Sequence, residues 1–498
     1  MCTDARKVTV WDQLRQRDLK LWERFLSLEN LTQAAARAGI VEVGRGPLQL
    51  FTLVWLGLCA ALHGTKSFAE VLVLALKLIE DDPRGWTAAA PRGARRSLCR
   101  RQRRRQSKGR RGAKRSQHDP RGQNSTTVAE EAFVQARRRM PWSFWLALLG
   151  VLTDQFEAEH GDRVRWKQFR LLALDGTTIK LPAWKRLRDY FGSASNGRGR
   201  RTTQARLVMM QMPLVRMPWR YQLAPLSQGE KTVAARLLGE LRPNDLVLMD
   251  RGFWSYGAFW QIQQQRAFFA IRKIAQVKWK VVRRLGYQDV LVRHRPSDSK
   301  KKKWAGLPKD ILLRVINYQI RGFRPSAVVT NVLDPEVVSQ QDWVRLTASE
   351  AARRVLEPGL YHRRWEIETT FRELKVTQGM EGHLRSRSPE GIRYEVAGHV
   401  LLYLLVRWLM VEAAGKTGIG DSLRLSFKGA LEELLDLRQS LLLADPQYAR
   451  CVLLPRLLER IAAHYVPLRP GRHFPRPRDT KAKYKGKGRY QKPSKLAG

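Results

Sequence analysis

The chain has 498 residues, with 92 Lys or Arg against 45 Asp or Glu and a formal net charge of +47. A surface so basic repels itself, so a polyanionic partner is expected. Nucleic acid comes ahead of anionic membrane, because the basic residues are spread along the chain rather than gathered on one amphipathic anchor. Cys2, Cys59, Cys99 and Cys451 are scattered with no C-x-x-C pair, which argues against a zinc site or a disulfide framework and for a reducing, cytoplasmic setting.

No secretory h-region follows the basic start. Residues 1–91 read as a helical N-terminal region, with apolar runs at 21–28 and 48–62 and helical spacing at 68–78. The run at 50–62 is too short to span a bilayer and reads as a buried helix. Residues 31–39 hint at a helix-turn-helix for end recognition, and a plain helix ending at Gly39 explains them equally well. Residues 92–115 hold 13 Lys or Arg and no acid, within a basic low-complexity linker at 92–124. Such a block binds phosphates without sequence preference, or is a solvated loop.

Helical patterning resumes in a connector at 125–165. From 166 to 276 short apolar strands alternate with a helix. Strands are expected at 171–174, 207–212, 220–223, 246–249 and 268–271, and a helix at 230–241. The first and fourth end in acids, Asp175 and Asp250, with Gly176 and Arg251-Gly252 read as turns. Residues 277–346 look like a β-rich insertion with a basic loop at 300–303. Residues 347–415 return to the first pattern, with an apolar helix at 394–414 that is interrupted by Arg407 and reads as core. A helical region at 416–466 and a basic tail at 467–498 complete the chain.

Residues 361–375 (Tyr-His-Arg-Arg-Trp-Glu-Ile-Glu-Thr-Thr-Phe-Arg-Glu-Leu-Lys) carry the chemistry. As a helix at about 100° per residue, they place Tyr361, Arg364, Glu368 and Lys375 within about 60° on one face. Leu360, Ile367, Phe371 and Leu374 form an adjacent core strip. Taken alone, this is an amphipathic helix with Arg364–Glu368 and Glu368–Arg372 ion pairs. The two strand-end aspartates upstream change the reading. In an open α/β sheet ligands sit beyond the carboxyl ends of the strands, where Glu368 can join Asp175 and Asp250. Oxygen-only ligands suit Mg2+ or Mn2+, and such ions drive phosphoryl transfer. Asp189, Asp245 and Glu373 are acids of similar placement without that order.

Tyr361-x2-Arg364-x3-Glu368-x6-Lys375 resembles the Tyr-Arg-Glu-Lys signature of bacterial insertion-sequence transposases with an Asp-Asp-Glu triad, the insertion sequence four family. Asp175-Gly176-Thr177 and Asp250-Arg251-Gly252-Phe253 resemble that family's two aspartate segments. Fainter echoes lie at 135–137, 384–386 and 425–427, so the resemblance spans about residues 30–445. It implies an α/β fold with an RNase H-like catalytic core interrupted by the β-rich insertion. It also implies a DNA transposase working by cut and paste: a nick at the terminal inverted repeat, a hairpin, its reopening, and joining of 3′-ends to target DNA. By the resemblance, Asp175, Asp250 and Glu368 are the catalytic metal ligands for Mg2+ or Mn2+. Tyr361, Arg364 and Lys375 contact DNA phosphates, with Arg251 and Trp365 as further DNA contacts. Trp304 and Trp343 are candidates for stacking a flipped base, although no motif selects either and each reads more readily as an ordinary core or surface tryptophan. The implied partners are double-stranded DNA, at transposon ends and target, and a second copy in a DNA-bound homodimeric synapse, with no membrane and a nucleoid location. Two other readings stay open: a catalytically silent DNA-binding protein derived from a transposase, and an RNase H-like nuclease without strand transfer.

Overall fold

The structure, a computed structural model, describes residues 25–40, 50–64, 130–195, 201–277, 279–296, 306–318, 325–344, 359–443 and 446–467. The expectations for 68–78, for the basic block 92–115, for the loop 300–303, for Trp304 and for most of the basic tail lie outside the described residues. Those up to Val466 belong to one folding unit.

Among the described residues, four helices precede the sheet: α1 (Leu28–Arg37), α2 (Leu50–Leu62), α3 (Glu130–Arg139) and α4 (Trp142–Val164). Ser27 caps α1, its hydroxyl accepting from the Asn30 amide at 3.1 Å. Pro141 separates α3 from α4, because a proline interrupts the helical hydrogen-bond ladder.

The strands are β1 (Arg165–Trp166), β2 (Phe169–Lys180), β3 (Ser193–Ser195), β4 (Arg201–Met212), β5 (Met217–Ala224), β6 (Asp245–Met249), β7 (Phe268–Arg272), β8 (Val281–Gly286), β9 (Asp289–His294), β10 (Ile311–Tyr318) and β11 (Ser326–Thr330). Between them lie α5 (Lys185–Phe191), α6 (Glu230–Leu238) and α7 (Tyr256–Gln264). One mixed sheet runs in the order β3-β4-β2-β6-β7-β11-β10-β9-β8, with β1 beside β2 and β5 beside β4. β2, β6 and β7 are parallel, and the other pairings are antiparallel. β6 is buried along its whole length, as the continuous apolar run Leu-Val-Leu-Met requires of a strand covered on both faces.

One expectation changes here. Gly176 is no turn: β2 continues through Asp175 and Gly176 to Lys180, paired antiparallel with β4 (Asp175↔Met209, Gly176↔Val208). The β-branched run Thr177-Thr178-Ile179 favours that extension. The β-rich stretch after β7 is continuous with the main sheet, because β11 pairs with β7.

Behind the sheet lie α8 (Glu366–Arg372), α9 (Pro389–Lys416), α10 (Phe427–Leu443) and α11 (Leu454–Ala463). α9 is long and apolar enough to cross a membrane, but its most apolar window is 94% buried, so it serves as a core helix. It crosses α2 so closely that a Cβ on Gly398 would lie 2.6 Å from the Gly57 carbonyl oxygen, so only glycine fits there.

His399, within α9, is neutral by construction. Burial, with His383 and Arg385 nearby, pushes its imidazolium down to about 3. Its Nδ1 faces the Gln378 amide nitrogen at 3.0 Å, which donates to it. The folded state therefore refuses a proton that the unfolded chain accepts below about pH 6.5. This contribution to stability is complete above about pH 6.5 and is lost progressively as the pH falls toward 3. Between pH 7 and 5 the loss is about 2 kcal/mol. Urea unfolding of wild type and His399→Gln at both pH values should show that difference, and parallel pH profiles would refute it.

Candidate active site

The parallel register of β2 and β6 pairs Leu174 with Met249, so the next residues, Asp175 and Asp250, stand side by side. β2 continues past that point, while β6 ends and the chain turns through a 3-10 segment at Arg251–Phe253. Side chains alternate along a strand, which puts Asp175 on the same face as Phe169 and Leu171. Those two belong to a small core cluster that also contains Leu246, Leu248 and Tyr361.

The signature segment reaches this face, but not as one α-helix. It runs as a 3-10 helix (Leu360–Trp365), then α8, then a π turn (Glu373–Thr377). The expected single polar face is therefore corrected. Tyr361 and Arg364 point inward, 9% and 5% exposed, whereas the Glu368 side chain is 44% exposed. The apolar strip is as expected, with Leu360, Ile367, Phe371 and Leu374 all buried.

Tyr361, Arg364 and Lys375 tie the segment to strands β6 and β2. The Tyr361 hydroxyl donates to the Met249 carbonyl at 3.0 Å, fixing the backbone just before Asp250. Arg364 lies between two carboxylates, with Nη1 3.6 Å from Asp175 Oδ2 and Nη2 3.5 Å from Glu368 Oε1. Its guanidinium also covers the Trp365 ring at 4.7 Å. Lys375 donates to the Thr178 carbonyl at 2.8 Å and pairs with Glu381 at 3.1 Å. Arg251 is exposed beside Asp250, and Trp365 is 38% exposed. The expected Glu368–Arg372 pair does not form among the described residues.

The π turn has a visible anchor. Glu373 accepts from Arg407 on α9 and from the Tyr403 hydroxyl, the latter at 2.7 Å. Arg216, in the β4–β5 turn, lies 3.5 Å from Glu373 and 2.6 Å from Glu366. Burial alone would raise the Glu373 carboxyl, but Arg407 and Arg216 outweigh it and hold it below the usual carboxylate range. Asp245 is likewise structural, held by Arg170 through two contacts of 2.7 Å. Asp189 lies exposed on α5.

Sequence reading missed Arg216, whose role depends on a hairpin folding back onto a distant helix. It also missed Glu230, at the start of α6. A Cβ on Gly176 would lie 1.7 Å from Glu230 Oε1, so this glycine makes room for that carboxylate. Trp343 is 1% exposed inside the smaller core cluster, so it offers no face to a base. Trp279, not anticipated, is partly buried, with its ring 5.9 Å from that of Trp254, which follows Asp250 by four residues.

The donor set fits a hard divalent cation: three carboxylates, no sulfur and no imidazole. Electrostatics agree. Asp175 is pushed up to about 6, chiefly by burial and further by Glu230 and Glu368, against the opposing Gly176 amide and Arg364. Among the described residues it is Glu159, His160 and Glu412, not the three triad carboxylates, whose ligand atoms lie within 4.8 Å of one another. Glu159 and His160 lie near the end of α4 and Glu412 lies on α9, so the group shares no residue with the triad.

Residues 166–405 match the family described as transposase DDE domain. The chain is 27% identical over 363 residues to the transposase InsG for insertion sequence element IS4 of Escherichia coli (strain K12), covering 71% of this chain and 77% of that protein. Among solved structures, a piggyBac transposase synaptic complex with hairpin DNA aligns over 91% of this chain and 86% of its own, at 10% identity and a TM-score of 0.35. A likeness that slight carries no argument about this chain.

Proposed function

The chain belongs to the DDE transposases, on their insertion sequence four branch, and from that membership we propose that it performs cut-and-paste transposition with Asp175, Asp250 and Glu368 as its catalytic, metal-holding carboxylates. It is an enzyme of phosphoryl transfer on DNA. The observation that carries the site assignment is the register placing Asp175 beside Asp250, with Arg364 joining Asp175 to Glu368. The order β5-β4-β2-β6-β7, antiparallel on one side of β2 and parallel on the other, supports an RNase H-like core, with β8 to β11 as the insertion before the glutamate.

A bound Mg2+ or Mn2+ would lower the pKa of the attacking oxygen and offset charge at the phosphate. The chain's own groups do the rest. Arg364 bridges two carboxylates in the free protein and, were a cation to take that role, would turn its fork to a phosphate oxygen. Lys375, fixed on the β2 backbone, supplies a point charge to the next phosphate. Tyr361 works mainly by locking the β6 end, because its hydroxyl is already committed to Met249. Arg251 and Trp365, both exposed, meet the DNA directly. The hairpin step follows from the same reading, with Trp279 in place of the buried Trp343 as the described insertion tryptophan able to stack a base. Coordinated cleavage at two ends needs two sites, so the working form is a homodimer on DNA. Free protomers at +47 repel each other until DNA neutralises them.

The test is cleavage of DNA carrying the element's own ends, scored on denaturing gels with Mg2+, with Mn2+ and with EDTA. Nicks and hairpins in either metal, abolished by EDTA, are expected. Metal-dependent nicks without joining to target DNA would favour the nuclease reading, and tight end binding without cleavage a silent binder.

A further inference from the structure

Beyond Asp175, β2 runs on to Lys180, and the chain then passes through Leu181-Pro182-Ala183 to Trp184 and α5. Trp184 and Tyr190 are 42% and 43% exposed, unusual for rings of that size. Each is covered by an arginine from the stretch at the start of α9. The Arg387 guanidinium lies 4.2 Å from the Trp184 ring centre. Arg393 lies 5.4 Å from the Tyr190 ring centre and donates to its hydroxyl at 2.6 Å. Lys185, Arg186 and Arg188 are exposed on α5 between the two rings. The same stretch holds Glu381, which binds both Lys375 and the Lys180 amide, so this face is tied to the strand that carries Asp175.

We propose that Trp184, Tyr190, Arg387 and Arg393, with the cations of α5, form a second grip on duplex DNA, holding the backbone that runs on from the cleaved phosphate. This rests on the transposase reading above. A guanidinium stacked on a ring keeps its N–H edge free and loses little freedom when it meets a phosphate. Residues 180–193 and 381–393 contain seven Lys or Arg and three acids. One of those acids, Glu381, is already occupied by Lys375, and another, Glu390, lies 3.5 Å from Arg186. That surplus selects a polyanion over a protein partner. Five residues of strand from Asp175 to Lys180 span ~17 Å. That corresponds to about five base pairs at 3.4 Å each, so the grip falls from there outward.

The experiment is the salt dependence of binding to duplex bearing the element's end. It compares wild type, Arg387→Gln/Arg393→Gln, and a charge-matched exposed pair elsewhere, Arg450→Gln/Arg456→Gln. Loss of two phosphate contacts should make the slope of log K against log salt shallower by about 1.8, with less than half that change in the control. Ethylation of phosphates more than about five base pairs from the cut should interfere with wild-type binding. Equal slope changes in both double variants would reduce the effect to overall charge and overturn the proposal. Wild type that cuts the end, with an unchanged slope in Arg387→Gln/Arg393→Gln, would overturn this surface alone. Wild type that neither binds nor cuts would overturn the transposase reading with it.

Discussion

Glu368→Gln is expected to lower strand cleavage at the element's ends by at least about 10³-fold, the scale on which removal of a charge-stabilising group slows a reaction. End binding should persist. Its side chain is 44% exposed, so the substitution leaves no cavity and no buried orphan. What it removes is one of three negative charges that make the site fit a cation, and one of the two carboxylates that Arg364 bridges. Asp250→Asn should act alike, because Asp250 stands at the exit of β6 and its loss leaves the strand ladder intact. The check is a single-turnover cleavage assay beside a binding isotherm and a melting curve for each variant. Full cleavage by Glu368→Gln would remove that residue from the catalytic set whatever the family signature implies.

Arg407→Met should destabilise the protein by about 3–5 kcal/mol, the cost of breaking one side of a buried ion pair. Arg407 is 1% exposed in the middle of α9, and Glu373 depends on it. Without Arg407, the Glu373 carboxylate keeps only Tyr403 and the more distant Arg216. The double variant Arg407→Met/Glu373→Leu should recover most of the loss, because an apolar pair of similar volume carries no desolvation cost. Urea unfolding of the four proteins in that cycle measures the coupling. A single variant within about 0.5 kcal/mol of wild type would show that the network is not structural. The same single variant should cut more slowly than its stability implies, since the π turn lies between Glu368 and Lys375 and Glu373 anchors it.

Much of the candidate site was legible in order along the chain. Apolar runs predicted β6 and β7 closely, because strands buried on both faces cannot tolerate polar interruption. The core strip Leu360, Ile367, Phe371 and Leu374 followed from helical spacing, which a local departure from the α-helix barely shifts. The run through Gly176 was not legible. A glycine after an acid reads locally as a turn, and only pairing with β4, some thirty residues away, carries the strand onward. In sequence, only the want of the triad order sets Asp245 and Glu373 aside; their structural roles were not legible, because an acid's role depends on its neighbours, and Arg170 and Arg407 come from distant parts of the chain. Trp343 proved to be a core tryptophan, the alternative to base stacking, and that choice was not legible because its core is assembled from β2, β6, β10 and β11.

The sequence by itself determined most of the element types, the need for a polyanionic partner and the three acids in their order, since charge, periodicity and motif spacing are local properties. Tertiary structure alone decided which acids meet. The parallel register sets Asp175 beside Asp250, and Arg364 draws Glu368 toward them. It also decided that Tyr361 serves the β6 backbone and that Arg216 and Arg407 hold the signature segment, because a buried polar group must find a partner wherever the fold brings one.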